Sequence, residues 1–309
     1  ADSCHFMIKA DPLDGSMLWA TTVDSGSTFE DAYAIAYDPA GGSIYVTGDH
    51  DNGLFSTLCN ETGSDKCVYT HKIDPQDGSV VWSTTTDISS ADETGYGIAV
   101  DNAGYVYITG ETESPDCSGA CFFTIKLHPD NGALIWTHIL DPSTQGDSGR
   151  SVVVDNDGSV YVTGEGDNEV CGGATGDSCH YNFKLDASDG SLIWATSTDP
   201  SSANDSALAS AFSAEGYLYV TGNSDACAGS GRCIYTYKID PSNGDMVWGT
   251  TTNPSETADE TGESIAVGPD GYIYVAATAD DEICGGSGTD TCFYTFKWIQ
   301  QTAIWSGIR

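Results

Sequence analysis

A phrase that recurs six times constrains the fold of this chain more than any other feature of its sequence. The copies begin at Cys4, Cys67, Cys121, Cys179, Cys233 and Cys292, and the copy at Cys67 reads CVYTHKIDPQDGSVVW. A second phrase lies between these copies five times, and in the second unit it reads GIAVDNAGYVYITG. Successive copies start 54 to 63 residues apart. The chain is therefore an array of similar units, each large enough to form one supersecondary structure.

Each phrase is typical of a β-hairpin. Its strand segments are rich in β-branched and aromatic residues, and the segment DPQDG at residues 74–78 has the composition of a turn. No segment shows sustained helical periodicity. We name the four strands of a unit A (near Ile98), B (near Val106), C (near Tyr69) and D (near Val81). Four-stranded antiparallel units of about 50 residues predict an all-β chain folded as a β-propeller, with one blade per unit.

Two motifs resemble known propeller repeats. Lys72, Asp74, Pro75, Gly78 and Trp82 form the pattern KxDPxxGxxxW, which resembles the tryptophan-containing repeat of quinoprotein-like (PQQ-like) propellers. The second phrase resembles the repeat of bacterial seven-bladed propellers (the SBBP type). The resemblance covers nearly the whole chain and implies a fold, whereas this fold hosts many functions. A quinone cofactor is not expected, because the chain has no adjacent pair of cysteines like those beneath the cofactor of many quinoprotein dehydrogenases.

The hairpins are uneven in number, with five of the A–B type and six of the C–D type. We therefore expect a single propeller domain over residues 1–309, with five complete blades and an N-terminal half blade. Six blade positions are favoured, and closure with five blades is the alternative. The missing A–B strands belong to a longer native chain or come from a neighbouring molecule, since a half blade has an unpaired edge. The repeat units lie near residues 4–66, 67–120, 121–178, 179–232, 233–291 and 292–309.

The 11 cysteines follow the same repeat. Five pairs lie between strands B and C: Cys59–Cys67, Cys117–Cys121, Cys171–Cys179, Cys227–Cys233 and Cys284–Cys292. We predict disulfides rather than zinc ligands, because the pairs belong to separate blades. Cys4 is expected to be unpaired or to form an intermolecular bond. Disulfides indicate an oxidising compartment, so we expect a secreted or cell-surface protein. The sequence starts at Ala1 without a start Met or signal peptide, which predicts a mature chain or a fragment.

Lysine is rare, and nearly all of it occupies one position of strand C: Lys9, Lys72, Lys126, Lys184, Lys238 and Lys297. Acidic residues recur ahead of strand A, at Asp31, Asp92, Asp147, Asp205 and Asp259. We therefore predict a structural ion pair or loop clamp in each blade. A tryptophan likewise recurs in strand D, at Trp19, Trp82, Trp136, Trp194, Trp248 and Trp305, and we expect it to pack between blades.

The charge balance excludes several partners. With 10 Lys and Arg against 46 Asp and Glu, the net charge is −36, so no basic surface is available for nucleic acid. The apolar runs are too short for membrane insertion.

The acidity suits divalent cations, and Asp155 and Asp157 are weak calcium candidates, although both also suit a turn. No other metal or cofactor is expected. Asn60 and Asn204 begin N-glycosylation sequons in predicted loops.

No set of residues forms a convincing catalytic constellation, because every prominent residue type is copied from unit to unit. We therefore expect a protein that is not an enzyme. The favoured hypothesis is a secreted structural or interaction propeller that assembles with itself into an extracellular filament, surface layer or adhesion structure. Assembly would run head to tail by completing the first blade. The alternatives are a module that binds carbohydrate or protein and, less favoured, a polysaccharide hydrolase or lyase.

Overall fold

β-Strands provide the regular secondary structure of the described part of the chain. The computed structural model describes residues 4–23, 30–51, 66–167, 169–172, 177–201, 203–227, 231–254, 259–280, 291–299 and 302–304. No helix in these ranges is long and apolar enough to cross a membrane. The strands form five four-stranded sheets and one two-stranded sheet. All pairings are antiparallel, which confirms the predicted all-β architecture of four-stranded blades.

The chain divides into two compact units, of which the first comprises Ala1–Asp141, Asn156–Gly158 and Ala187–Ser191. It contains a two-stranded sheet, here the half blade, and two four-stranded sheets, blades 1 and 2. The half blade consists of β1 (His5–Ala10) and β2 (Met17–Val23). Blade 1 consists of β3 (Glu30–Tyr37), β4 (Ile44–Asp51), β5 (Lys66–Ile73) and β6 (Val80–Thr86). Blade 2 consists of β7 (Glu93–Val100), β8 (Val106–Thr112), β9 (Cys121–Leu127) and β10 (Leu134–Leu140).

The second unit comprises Pro142–Asp155, Ser159–Asp186 and Leu192–Arg309, and it contains blades 3, 4 and 5. Blade 3 consists of β11 (Ser148–Val154), β12 (Val160–Asp167), β13 (Ser178–Leu185) and β14 (Leu192–Thr198). Blade 4 consists of β15 (Ser206–Phe212), β16 (Leu218–Ser224), β17 (Cys233–Ile239) and β18 (Met246–Thr252). Blade 5 consists of β19 (Glu260–Val267), β20 (Ile273–Asp280), β21 (Thr291–Ile299) and the short β22 (Thr302–Ile304).

Neighbouring strands of a blade follow one another in chain order, so A, B, C and D lie side by side. The register aligns one tyrosine, one lysine and one tryptophan across strands B, C and D. In blade 1, Lys72 lies opposite both Tyr45 and Trp82. The half blade has only the C and D positions of this row, where Lys9 lies opposite Trp19. Among the described residues, β1 pairs with β2 alone, and the predicted number of blade positions stays a prediction.

The C–D turn depends on its aspartate and its glycine. In blade 1, the Gln76 N–H donates to Asp74 Oδ1, and the Gly78 N–H donates to the Asp74 carbonyl. Gly78 has φ +77°, which favours glycine, and a Cβ there would lie 2.8 Å from a ring carbon of Trp19. Glycine is thus required both by the backbone and by the close approach of the half blade.

Candidate functional site

A lysine and a tryptophan of one blade donate hydrogen bonds to the same backbone carbonyl in the following C–D turn. Lys9 Nζ and Trp19 Nε1 donate to the Pro75 carbonyl over 2.8 and 3.1 Å. The same contacts join Lys72 and Trp82 to Pro129, Lys126 and Trp136 to Ala187, and Lys184 and Trp194 to Pro241. Each of these turns is therefore anchored by a cation and an indole, which explains why both residue types recur.

Of the two predicted roles, ion pair or loop clamp, the clamp fits four of the six lysines, Lys9, Lys72, Lys126 and Lys184, because they donate to carbonyl oxygens, and the ion pair does not hold for these four. Lys238 Nζ lies 3.5 Å from the centroid of the Tyr217 ring. Lys297 does form an ion pair, 3.1 Å from Asp270 Oδ2. The acids ahead of strand A instead hold loops: Asp92 Oδ1 accepts the Lys66 N–H, and Asp259 Oδ1 accepts the Arg232 N–H. The observed clamp acts mainly through backbone carbonyls.

Strand B adds a tyrosine to the contact between neighbouring blades, which we call the seam. The Tyr45 ring is fully buried, with its centroid 5.7 Å from that of Trp82 and 5.4 Å from Lys72 Nζ. The same arrangement is formed by Tyr107, Tyr161 and Tyr219 with the tryptophan and lysine of their own blades. Between blades 1 and 2, strand A of the following blade covers the tyrosine, since Ile98 and Val100 pack against Tyr45. The tyrosine thus fills the space between two blades.

The half blade lacks this tyrosine and leaves the space open. A cavity of about 550 Å³ lies beside Lys9 and Trp19, and Ile35 and Tyr37 of β3 form part of its wall. Ile35 is 65% exposed and Tyr37 is 60% exposed. Their equivalents in blade 2, Ile98 and Val100, are partly buried against Tyr45. The cavity therefore lies where a strand B would place its tyrosine.

β1 also exposes apolar side chains whose equivalents in blades 1 to 4 are buried, and one of them, Ile8, borders the cavity. Phe6 is 71% exposed and Ile8 is 60% exposed. The residues at these two positions in blades 1 to 4 are all buried: Tyr69, His71, Phe123, Ile125, Tyr181, Phe183, Tyr235 and Tyr237. In blade 2, Phe123 and Ile125 pack against Tyr45 and Val68 of blade 1. We call Phe6 and Ile8 the head face, because their equivalents in blade 2 pack on blade 1.

Blade 5 has a matching exposed surface on its opposite side. Tyr274 of strand B is 36% exposed, whereas the tyrosines at this position in blades 1 to 4 are buried. Phe293 of strand C is 82% exposed, whereas its equivalents Val68 and Ile234 pack against a following blade. We call Tyr274 and Phe293 the tail face. Exposed aromatic patches on a protein with so polar a surface are typical of interaction sites.

An aromatic stack lies between the half blade and blade 1. The His5 ring lies 4.8 Å from that of Tyr69 and 5.2 Å from that of His71, and His5 Nδ1 lies 3.8 Å from Glu30 Oε2. Burial, aided by His5 and His50, lowers the pKa of His71 to about 4. Burial also lowers the pKa of His5, against the opposing effect of Glu30. The two buried imidazoles are therefore packing groups that are neutral at pH 7.

Three predicted cysteine pairs are disulfide-bonded in the structure: Cys117–Cys121, Cys171–Cys179 and Cys227–Cys233. Cys67 and Cys292 also form disulfides. Their predicted partners Cys59 and Cys284 lie outside the described residues. Cys4 is an exposed free cysteine next to the start of β1. The disulfides are compatible with an extracellular protein.

The calcium and glycosylation candidates lie in loops and turns. Asp155 Oδ1 accepts the Ser159 N–H and its Oδ2 accepts the Tyr161 hydroxyl, so this carboxylate shapes the A–B turn that also contains Asp157. Across the described ranges, no three His, Cys, Asp or Glu side chains are placed to bind a metal ion together. Calcium at Asp155 and Asp157 stays a prediction. Asn204 is exposed ahead of β15, and Asn60 lies outside the described residues.

The sequence did not predict the cavity, the head face or the tail face as sites. The aligned repeat copies nevertheless contain the information that indicates the cavity. The half blade keeps the lysine and tryptophan of the repeat but has no preceding A–B phrase, so a tyrosine-sized vacancy follows from aligning the six copies. Ile98 and Ile35 occupy the same repeat position, so the sequence does not distinguish them. Only the structure shows that Ile98 is partly buried and that Ile35 is exposed.

The repeated blades define a β-propeller protein of the PQQ-like class. A protein-family profile described as the outer membrane protein assembly factor BamB matches residues 65–277. That match covers more than half of the chain, so the chain belongs to this family of PQQ-like repeat proteins, and the predicted resemblance is confirmed. No curated protein sequence matches the chain.

Solved structures share the fold at low sequence identity. The hydrazine synthase of Kuenenia stuttgartiensis matches with a TM-score of 0.53 and 12% identity, over 90% of this chain and 67% of that one. A PL25 ulvan lyase bound to a disaccharide repeat matches with a TM-score of 0.56 and 12% identity, over 89% and 71% of the two chains. A quinohemoprotein alcohol dehydrogenase from Pseudomonas putida HK5 matches with a TM-score of 0.47 and 14% identity, over 97% of this chain and 51% of that one, and this weaker likeness carries no argument about the fold.

These matches contradict the prediction that the chain is not an enzyme. That prediction assumed that repeated residues mean scaffolding, yet the hydrazine synthase and the ulvan lyase carry the same type of fold. At 12% identity, the likeness shows the fold alone and transfers no reaction to this chain. Catalysis is therefore not excluded by the architecture.

Proposed function

We propose that the protein is an extracellular subunit that associates with other copies of itself head to tail, as a filament, surface-layer or adhesion component. The head face (Phe6 and Ile8) of one copy packs on the tail face (Tyr274 and Phe293) of the next. A contact between two different surfaces is heterologous, and a heterologous contact that does not close generates an open polymer.

The observation that carries this proposal is the exposure of residues whose repeat equivalents are buried. The two faces lie on opposite sides of their blades. The head face is equivalent to the side of blade 2 that packs on blade 1, and the tail face is equivalent to the side of blade 1 that receives blade 2. Blade-on-blade packing elsewhere in the chain, as in the cluster around Val68 and Phe123, supplies the template for the contact. Burial of a phenylalanine side chain contributes roughly 1.5–3 kcal/mol, so two such anchors favour a specific interface.

The disulfides support the extracellular location, because such bonds persist in oxidising compartments and are rare in the cytosol. The exposed Asn204 sequon is available for a glycan if the protein is made in a cell that attaches one. The net charge of −36 keeps unassembled copies soluble and limits association to surfaces with strong apolar complementarity.

A complementation experiment tests the proposal. Phe6→Lys disables the head face and Phe293→Lys disables the tail face, so sedimentation velocity should show a monomer for each variant alone. An equimolar mixture should form a dimer and stop, because one intact head and one intact tail remain. All proteins carry Cys4→Ser to exclude adventitious disulfide dimers. Leu13→Lys is the matched control, since Leu13 is 93% exposed, lies in the turn between β1 and β2 and belongs to neither face.

The reference protein and the Leu13→Lys control should form larger species in a concentration-dependent manner. Circular dichroism checks that all variants fold. A reference protein that stays monomeric at high concentration, or a mixture that yields no dimer, overturns the proposed function.

A further inference from the structure

Strand A has a β-bulge at the same place in each of the five blades. In blade 1 the register shifts between Ala32 and Ala34, so Tyr33 is the extra residue. A bulge re-aims one side chain out of the regular alternation of a strand and is common beside functional sites. The corresponding extra residues in blades 2 to 5 are Tyr96, Arg150, Leu208 and Glu263.

The side chain at the bulge is an exception to the repeat. The residues on both sides of it are alanine, glycine or serine in every blade, and the seam lysine recurs in the same way. The bulge itself holds two tyrosines, an arginine, a leucine and a glutamate. A constant scaffold that presents different side chains is the arrangement of a binding surface, because the contacts can vary while the backbone does not.

The bulge residues of blades 1 and 2 converge within the first unit. The rings of Tyr33 and Tyr96 meet edge to face, with centroids 5.2 Å apart and ring planes at 68°. Tyr33 is 45% exposed, and the Tyr96 hydroxyl donates to Glu111 Oε1 over 2.8 Å. An accessible aromatic ring with a carboxylate beside it offers the two features that attract an organic cation.

A pair of acids beside Tyr33 is a second departure from the repeat. Asp31 of strand A lies opposite Asp49 of strand B in the sheet register. The other four blades have serine or threonine at the position of Asp31. Like charges directly opposite one another destabilise a sheet, so this pair costs stability that a serine would not.

The groups around Tyr33 are electronegative even though a lysine lies among them. Asp49 is buried, its Oδ2 lies 2.8 Å from Lys66 Nζ, and its Oδ1 has no hydrogen-bond partner among the described residues. Burial and the charges of Asp49 and Asp31 raise the pKa of Tyr33 to about 12. The hydrogen bond to Asp49 raises the pKa of Lys66. Positive charge is therefore favoured at this place.

We propose that Tyr33 and Tyr96 bind an organic cation that carries its charge on a methylated ammonium group. The methyl groups pack on the tyrosine rings, while the ring faces and the carboxylates of Glu111 and Asp49 attract the charge. A neutral sugar would use the rings but not the charges, so the excess of carboxylates favours the cation. The site shares no residue with the head face or the tail face and does not depend on self-association.

Choline and its neutral isostere, the alcohol in which carbon replaces the quaternary nitrogen, test the proposal because they share a shape and differ in charge. Saturation-transfer NMR measures the dissociation constant of each probe for the full chain, with sodium chloride added to keep the ionic strength constant. We expect saturable binding of choline in the millimolar range. The neutral alcohol should bind at least roughly fivefold more weakly, as the loss of the cation–π attraction requires.

Variants at the bulge locate the bound choline. Tyr33→Leu removes the exposed ring without changing the net charge, so choline should bind roughly fivefold more weakly. Tyr33→Phe keeps the ring and should bind choline as the reference protein does. Tyr37→Leu is the matched control, because Tyr37 lies on the same strand, is 60% exposed and is not in the bulge. Circular dichroism checks that each variant folds.

A charge variant tests the contribution of the carboxylate. Glu111→Gln removes the negative charge and keeps an acceptor oxygen for the Tyr96 hydroxyl. It should weaken the binding of choline and leave that of the neutral alcohol unchanged.

Three results would overturn the proposal. The first is a lack of saturable choline binding in the millimolar range. The second is equal affinity for choline and the neutral alcohol, which would indicate a site for uncharged ligands such as sugars. The third is an unchanged choline affinity in Tyr33→Leu, which would mean that choline binds elsewhere on the acidic surface.

Discussion

Tyr45 packs against Trp82 with ring centroids 5.7 Å apart, and this contact is the unit from which the seams between blades are built. Lys72 lies opposite both residues in the sheet register, so the row of three side chains spans strands B, C and D. The half blade repeats the lysine and the tryptophan of this row without the tyrosine. The predictions below test the seam first and then the association that its incompleteness implies.

Replacing a turn glycine that packs against a tryptophan should destabilise the protein more than replacing a turn glycine that has no neighbouring atoms. Gly132 and Gly42 have φ of +68° and +66°, so alanine meets similar backbone strain at both. A Cβ at Gly132 would lie 2.8 Å from a Trp82 ring carbon, whereas nothing lies within 4 Å of one at Gly42. Urea denaturation should show an extra loss of about 1–3 kcal/mol for Gly132→Ala over Gly42→Ala. Equal losses would mean that the turn does not pack on the tryptophan.

The lysine clamp should contribute measurably to stability. Lys72→Met keeps the aliphatic stem but removes the hydrogen bond to the Pro129 carbonyl and the contact with the Tyr45 ring. We expect a loss of about 1–2 kcal/mol in the free energy of unfolding. Lys297→Met is the matched control, because its ion pair with Asp270 is half-exposed and screened by solvent, so it contributes little to stability. A smaller effect at Lys72 than at Lys297 contradicts the clamp.

Acid should weaken the first unit through its buried histidines. The pKa of His71 is lowered to about 4 from an ordinary value of 6.5, so the unfolded chain binds more protons between these limits. The contribution of neutral His71 to the free energy of unfolding is fully present above about pH 6.5 and is lost as the pH falls toward 4. His5 adds to the same trend, since its pKa is also lowered by burial.

The comparison that isolates this effect uses His71→Gln. Burial raises the pKa of Glu93 to about 7, which opposes the histidine trend because native Glu93 holds its proton above pH 4.5. Stability measured by denaturation from pH 4 to 8 should therefore fall less steeply on acidification in His71→Gln than in the reference protein. Parallel curves for the two proteins would show that His71 does not titrate in this range.

Salt should strengthen self-association. Two copies that each carry a net charge of −36 repel one another, whereas the proposed contacts are apolar and aromatic. Screening by 0.5 M sodium chloride should therefore raise the apparent association constant by about tenfold relative to low salt, by sedimentation velocity. Calcium at matched ionic strength distinguishes specific cation binding at Asp155 and Asp157 from screening, with Asp157→Asn as its control. Association that weakens with salt would indicate ion pairs rather than apolar packing.

Much of the fold follows from the sequence because the repeat is local. The turn at residues 74–78 and the alternating strand residues fix each hairpin, and the copies of Lys72 and Trp82 mark equivalent places in every blade. The acceptor of the lysine could not be deduced in the same way. A carboxylate is the usual partner for an ammonium group, but the sheet register aims Lys72 at the Pro129 carbonyl of the following turn.

The candidate sites depended on burial, which a repeat pattern does not reveal. Phe6 and Tyr69 occupy one repeat position, yet Phe6 is 71% exposed and Tyr69 is 3% exposed. The difference arises from the presence or absence of a packed neighbour rather than from the residues. For the same reason, the copying of residues from blade to blade did not justify excluding catalysis.

Electron microscopy of the native protein, isolated without reductant, tests the central claim most directly. Negative-stain images at high protein concentration should show filaments or regular linear arrays with the repeat of one molecule, and Phe293→Lys should abolish them. Isolated particles of one size at every concentration, identical for the native protein and Phe293→Lys, would contradict head-to-tail assembly through the two exposed faces.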